Sequence, residues 1–509
     1  MKRTLARHEV VATDAAAVRR AAPARATLGA AAICACACVG PNFQRPAAPQ
    51  VDRYTIDPLA ATTTAAPGAG GAAQRFLTQQ DVPRNWWTLF SSDDINALVN
   101  EALRANPDVA SAQAALRQAM ENTAAQRGSY FPTVQGQFDA SRNRDAIGVL
   151  APTLNSGSAL YNLFTPQVTI SYVPDVFGAN RRAVESLAAQ AEANRFQLDA
   201  TYLTLTANVV ATAIQEAGLR AQISGTEHVI ALERESLAVL RRELELGAIA
   251  EADVCAQDAA LAQLEGTLPP LNKQLHQARD QLAVLTGHLP ADFKPTRLEL
   301  DHLVLPTDLP LGVPSQLVER RPDVRAAEAQ LHAATAQVGM AIANLLPQIT
   351  ITGDIGSTAA LFGQLFKPGT GFWSIGANAT QTLFAGGTLI HRKRAADAAL
   401  DEAAAQYRSA VLTAFQNVAD ALHALETDAD ALNAASRAEE AAQKSLGVAQ
   451  RQLELGSVSY LALVTSEQTY QQAVVSLAQA RANRYADTAA LFQALGGSIT
   501  PVTTPPGIR

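Results

Sequence analysis

The chain repeats itself once, and that repeat limits its fold more than any other feature. RELELGAIA at 242–250 is answered by RQLELGSVS at 451–459, with Gly247 and Gly456 spaced 209 residues apart. NPDVASAQAAL at 106–116 is echoed by RPDVRAAEAQL at 321–331, and Pro132 and Pro347 stand at the same offset of 215. Leu203, Thr204, Asn208 and Val209 return as Leu412, Thr413, Asn417 and Val418, and Gly287 returns as Gly496. A short period would mean a solenoid, whereas a single repeat of this length means two large, equivalent units in one chain.

Each unit contains a long segment without proline, 179–246 and 388–455, each of 68 residues. At a rise of about 1.5 Å per residue, a continuous helix of that length reaches roughly 100 Å, several times the width of a domain. Both segments stop at L-E-L-G, where a glycine just past the last helical residue takes the left-handed conformation that ends a helix. Gly247 and Gly456 are therefore expected at two equivalent far ends, where the chain reverses. Return helices are expected over 93–129, 251–287, 315–345 and 458–495. Aromatic residues are only 5% of the chain and alanine dominates whole segments, which favours long, closely packed helices over a bulky core.

Four shorter stretches alternate with a period of two. Val134, Phe138 and Ala140 alternate with Gln135, Gln137, Asp139 and Ser141, and Val168, Ile170 and Tyr172 with Gln167, Thr169 and Ser171. The second unit repeats this with Ile349, Ile351 and Ile355 against Thr350, Thr352 and Asp354. It then places Trp373, Ile375, Ala377 and Ala379 against Ser374, Asn378 and Thr380. One such strand reads equally well as half of an exposed soluble hairpin. Four, in two duplicated hairpins, carry the pattern of a lipid-facing barrel around a wet lumen. Four strands leave two open edges, which hydrocarbon does not tolerate, so several chains must close the ring. Eight strands would fill with side chains, whereas twelve leave a channel. The fold class expected is thus mainly α with a membrane β-barrel: a trimer with four strands per chain, continued by a long α-helical barrel.

The N-terminus reads as an export signal. ATLGAAAICACAC at 26–38 is a short apolar run preceded by Arg19, Arg20 and Arg25, too short for a spanning helix. The 25 residues ahead of it exceed an ordinary basic leader, which an upstream start assignment would explain. Removing residues 1–35 takes away six Lys or Arg and two Asp or Glu, so the net charge goes from −7 to −11. Three cysteines close the run. Cys36, with Ile33 three before it and Ala35 one before it, resembles the lipobox cysteine that is acylated and becomes the first mature residue. Cys38 is the alternative, and small apolar residues in a cleaved signal or a thiolate metal cluster are the plainer readings. Cys255 stands alone and cannot build a disulfide framework.

These boundaries divide the chain into a signal peptide 1–35, a Pro, Ala, Gly and Thr-rich lipid-anchored tether 36–92, and a first half 93–287 with hairpin 131–173 and long helix 179–246. An equatorial linker 288–314 follows, then a second half 315–497 with hairpin 347–384 and long helix 388–455, and a flexible tail 498–509. A net charge of −7 without a basic block speaks against nucleic acid. H-E-x-x-H, G-x-S-x-G and G-x-x-x-x-G-K-[ST] do not occur. No enzyme, cofactor or metal site is expected.

VGPNFQRP at 39–46, NWWTLF at 85–90, EALRANPD at 101–108, SYVPDVFG at 171–178, LPPL at 268–271, VPSQLVERRPDVRAAEAQL at 313–331 and TLFAGG at 382–387 occur in that order. Together they make the chain resemble the TolC-like outer-membrane efflux family, in its lipoprotein (NodT or OprM-like) branch, from about residue 36 to 497. The resemblance implies a homotrimer in the outer membrane with a periplasmic helical extension and an equatorial domain. It implies a periplasmic adaptor and a proton-driven, RND-type inner-membrane transporter as partners, and export of drugs or other small compounds through a passive duct. In relatives the far ends are periplasmic tips closed by an iris of side chains. On this mapping Asp253 matches an acidic partner in tip bonding, with a helix N-cap as its plain role. Leu461 matches a constriction leucine. Thr465 stands where relatives carry an aspartate, which weakens the case for an anionic gate, although Glu467 lies nearby. Arg181, Arg182, Arg392, Lys393 and Arg394 read as a solvated helix face or, alternatively, a basic lumen ring, and Arg320–Pro322 as a helix-start anchor. A type I protein-secretion exit is the competing channel, and a lipid-anchored coiled-coil spacer the competing structural reading; the four strands argue against the spacer.

Overall fold

In the computed structural model, residues 39–78, 80–144, 160–294 and 297–497 are described. Helices α1 (Asp93–Ala105) and α2 (Pro107–Arg127) lead into strands β2 (Thr133–Arg144) and β3 (Leu160–Tyr172), after a short β1 (Arg75–Thr78). The long α3 (Ala179–Glu245) follows, then α4 (Glu251–Glu265) and α5 (Leu268–Leu285). After β4 (Asp308–Leu311) the pattern recurs as α6 (Pro314–Arg320), α7 (Pro322–Ala343), β5 (Gln348–Ser357), β6 (Gly371–Thr380), the long α8 (Thr388–Glu454) and α9 (Tyr460–Ala494).

Both long helices contain 67 residues. Prolines divide the helical runs that flank them. The run expected over 93–129 breaks at Asn106, whose side chain accepts from the Asp108 and Val109 amides and so starts α2 at Pro107. The run over 315–345 breaks at Arg321, ahead of Pro322, and that over 251–287 at Gly266–Thr267, ahead of Pro269 and Pro270. Proline offers no amide to continue a helix and disfavours the helical conformation in the residue before it. Only α9, which has no proline, runs unbroken for 35 residues.

The strands form one antiparallel sheet in the order β2-β3-β5-β6, leaving β2 and β6 as its edges. The halves meet at β3 and β5, from Gln167↔Gly356 to Tyr172↔Ile351. Register sorts the two faces. Val134, Ile170, Gly353 and Ile375 lie in one row across the sheet, and Gln135, Thr169, Asp354 and Ser374 in the next. In the polar row, Thr169 and Ser374 donate to the Asp354 carboxylate at 2.7 and 3.1 Å. In the apolar row the side chains of Val134, Ile170 and Ile375 are exposed, as is Trp373 on the same strand as Ile375.

A core around the middle of the long helices holds the assembly of elements together. The NWWTLF motif forms a 3-10 turn, Trp86–Phe90, that buries Trp86 and Phe90 against Phe492 and Tyr485 of α9. Such fully buried aromatic pairs contribute beyond their area, on the order of 0.5–1.5 kcal/mol each. The short β1 pairs in parallel with β4 at this level, joining the N-terminal segment to the segment between the halves.

The segment read as a tether carries little regular structure before β1 and lies along the body as a docked strap. Gly40 lies so close to Gly339 of α7 that a Cβ on it would run into the Gly339 backbone. Phe43 stacks on His332 with ring centroids 4.4 Å apart, and Arg45 reaches Glu319 and Glu328 at 3.3 and 3.1 Å. Further along, Thr64 donates to Asp430 at 2.7 Å, and the fully buried Arg484 donates to the carbonyls of Gly70 and Ala72. A buried guanidinium has five donors to satisfy; besides these two carbonyls, the Thr63 hydroxyl and the Leu425 carbonyl of α8 accept from it.

Arg182 is a correction to both readings of the basic helix starts. It is buried, donates to Asn42 of the strap at 2.6 Å and pairs with Glu185 at 2.7 Å, so it is neither a solvated face nor a lumen group. Arg181 pairs with Asp175 and Lys393 with Asp397, while Arg392 and Arg394 are exposed. Arg321 starts α7 by donating to Asp323 and to the Ala494 carbonyl.

Gly40 has a φ of +103°, a conformation in which side chains are strained. We expect Gly40→Ala to loosen the strap, at a cost of about 1–3 kcal/mol from backbone strain and overlap together. A lower thermal-unfolding midpoint than that of the parent would verify it.

Candidate channel site at the helix ends

Opposite the sheet, α3 and α8 end in the same way. The Gly247 amide donates to the Leu244 carbonyl at 2.9 Å and that of Ala248 to Glu243 at 2.9 Å; Gly456 and Ser457 repeat the pair on Leu453 and Gln452 at 2.8 and 2.9 Å. Both glycines have positive φ, 73° and 69°. This pair of hydrogen bonds closes the helix and turns the chain, and it needs a residue free to adopt the left-handed conformation. Leu246 and Leu455 project into solvent beside the glycines.

On the second turn, Leu461 is 67% exposed at the start of α9. Thr465 is one helical turn on, exposed, and its hydroxyl donates to the Leu461 carbonyl at 2.8 Å. The two therefore share one face of α9, and the opposite face, with Tyr460, Leu463 and Val464, is buried. On the first turn, Asp253 accepts from the Ala250 amide at 3.3 Å while its own amide donates to the Ala250 carbonyl at 3.1 Å. Asp253 is thus not the N-cap residue, which is Ala250, but caps from the third position of α4, with its carboxylate at the positive end of the helix. Asp253 lies on the first turn and Leu461 with Thr465 on the second. Cys36 and Cys38 lie outside the described residues.

Glu467 does not face outward with Thr465. It is buried, together with Glu233 of α3 and Gln257 of α4. Sequence reasoning passed over Glu233 and Gln257, although a signal was present. Glu233 falls in the apolar row Val229, Ile230, Leu237, Leu240, and Glu467 in the row Leu463, Val464, Tyr470, so both carboxylates occupy core positions of their helices. Among the described residues, no group of three His, Cys, Asp or Glu is placed to hold a metal ion, and no helix is long and apolar enough to cross a membrane.

Residues 98–288 and 313–497 match the family model described as outer membrane efflux protein. The chain is 28% identical over 443 residues to the pyoverdine export outer membrane protein OpmQ of Pseudomonas putida, covering 86% of this chain and 94% of that protein. It is 26% identical over 473 residues to the outer membrane protein OprJ of Pseudomonas aeruginosa, covering 92% of this chain and 94% of OprJ. Among solved structures, the outer-membrane channel OprN superposes with a TM-score of 0.80 at 28% identity, over 90% of this chain and 99% of OprN.

If the Asp253 carboxylate serves only as a local cap, Asp253→Ala removes about 0.5–1 kcal/mol from the first turn of α4. Amide exchange over residues 250–254 should then rise about two- to fivefold, with conductance in planar bilayers at the parent level. Raised conductance would instead assign Asp253 to bonding between tips.

Proposed function

Because the chain belongs to the outer membrane efflux protein family, we propose that it is the outer-membrane exit duct of a tripartite efflux pump. In this reading it passively releases small compounds delivered by a periplasmic adaptor and an inner-membrane transporter. The observation that carries this reading is the sheet at one end of two 67-residue helices, with an exposed apolar face, a hydrogen-bonded polar face and two free edges. An apolar face turned to lipid and a polar face turned to water is the arrangement of a barrel strand.

The edges β2 and β6 must find partners in hydrocarbon, since each unpaired backbone group there costs several kcal/mol. Edge-to-edge joining of three chains closes twelve strands and leaves a water-filled lumen, whereas two chains would close eight, a ring that side chains fill. The helices then continue the ring into the periplasm, as a tube of roughly 100 Å. The acyl chains belong on Cys36, with Cys38 the alternative. Val39 donates to the Phe177 carbonyl just below the sheet, and at about 3.5 Å per residue three residues reach only ~10 Å beyond it. An anchor on Cys36 therefore meets the membrane beside the strands.

Closure of the tip falls to Leu461. Three copies brought together on the axis would bury about 1.5–3 kcal/mol per side chain. With threonine rather than an acid at position 465 and its hydroxyl occupied by the Leu461 carbonyl, the closure is apolar.

Native mass spectrometry in mild detergent tests the ring: three chains and no stable folded monomer are expected, and a folded monomer as the main species would refute the shared barrel. The tip is tested in planar bilayers. Leu461→Asp should raise single-channel conductance, because three carboxylates repel one another and resist desolvation, and Thr465→Ala should leave it near the parent value. The reverse pattern would displace the gate from Leu461.

A further inference from the structure

Where α3, α4, α8 and α9 converge near the two turns, an apolar cluster that includes Val229, Leu240, Leu446, Leu463 and Val464 surrounds a pair of carboxyl groups. Glu233 is 3% exposed and Glu467 1%, and one amide, that of Gln257, bridges the two carboxyl groups. Gln257, fully buried on α4, donates to Glu233 and at 3.5 Å to Glu467, and Ser236 donates to Glu467 at 3.5 Å. The contact crosses the duplication, because α3 belongs to the first half and α9 to the second.

Among the described residues, no Lys, Arg or His pairs with either carboxyl group. Glu243 on α3 and Glu439 on α8 add negative potential around the neighbouring tyrosines of α9, Tyr460 and Tyr470. Gln257 is the polar group that α4 contributes. The cations on the adjacent turns of α3 are engaged elsewhere, Arg234 with Glu265 and Arg241 with Asp258, both at exposed positions. The buried Tyr460 hydroxyl has no hydrogen-bond partner. Two carboxylates bridged by one amide, out of water and with no cation paired to either among the described residues, repel each other strongly, so packing α9 against α3 favours a proton held on the pair.

We propose that Glu233 and Glu467 form a proton-dependent latch that fastens the first turns of α9, and with them the second tip, to α3. Burial and the neighbouring Glu467 charge push the Glu233 carboxyl up to about 8, and burial raises Glu467 as well. With α9 parted from α3 both groups meet water and return to the ordinary 4.5. Below that value both states are protonated and the latch is at full strength. Between 4.5 and about 8 the packed state holds at least one proton more than the parted state, so each pH unit favours parting at least about tenfold, and above 8 no further change follows. The latch is a property of helix packing within one chain, and its behaviour is readable whether or not the protein conducts.

Hydrogen exchange of the purified protein at pH 5.5 and 7.5, corrected for the intrinsic pH dependence of amide exchange, provides the test. Protection over residues 460–470 should fall by at least about a hundredfold across this interval in the parent, at least one proton over two pH units, while residues 480–490 hold theirs. In Glu233→Gln the amide donates to the Glu467 carboxylate in place of the proton, so protection over 460–470 should be the same at both pH values; Glu467→Gln, with the roles exchanged, is the second arm. Equal protection at the two pH values in the parent overturns the latch, as does an undiminished loss in both glutamine variants. The parent comparison depends on no substitution, so misfolding of a variant leaves the test decisive.

Discussion

Backbone hydrogen bonding at the two free strand edges is the constraint on which the proposed architecture depends. Within one chain β3 and β5 are paired on both sides where they meet, from Gln167↔Gly356 to Tyr172↔Ile351, and β2 and β6 are paired on one. In water a free edge can be solvated, but in hydrocarbon it cannot, and several kcal/mol per unpaired group far exceeds what a single domain has to spare. Closing the ring between chains removes the cost entirely. It also fixes where the long helices must stand, because α3 leaves the end of β3 and α8 follows β6 through a glycine in the left-handed conformation at each helix start, Gly178 and Gly387.

The helices are then held by close approach rather than by bulk. Gly218 and Gly225 of α3 face Ala482 and Val474 of α9 so closely that a Cβ on either would force its neighbour to shift. Small residues at a helix contact let backbones approach and leave little room for adjustment, so a change in one helix is passed to the next. The Glu233–Glu467 pair lies on this same α3–α9 contact, nearer the turns. An interface that is tight along much of its length and carries two carboxyls near its end has one place where proton occupancy alters its strength. Rigidity and sensitivity are thus separated along a single pair of helices.

The N-terminal segment gives the structure a third set of ties. Composition made it a tether, yet its glycines, its aromatic Phe43 and its carbonyls are used in specific contacts: Gly40 for close approach to Gly339, Phe43 for the His332 ring, and the carbonyls of Gly70 and Ala72 for Arg484. A segment poor in apolar residues can still dock when the body supplies buried cations that need acceptors. Arg182 and Arg484 are such cations, and the strap supplies part of their acceptors, Asn42 for Arg182 and the Gly70 and Ala72 carbonyls for Arg484.

Periodicity and punctuation are local properties, and they were legible in the residues alone. The period of two in VQGQFDAS marked its strand, the absence of proline from 179 to 246 marked a helix, and L-E-L-G marked its end, because alternation, a missing amide and a left-handed glycine act over a few residues. The prolines at 107, 322 and 269–270 were equally local signals, and they divide runs that periodicity alone joins. What the residues could not decide was which partner each side chain meets. Arg182 reads as an exposed basic residue until Asn42, 140 residues earlier, is laid over it, and Glu233 reads as one more acid on an alanine-rich helix until Glu467 of the other half packs against it. Burial and the loss of a counter-charge arise only when segments distant in sequence meet, so the sequence determined the elements and their ends, and the tertiary structure decided which charges lost their water.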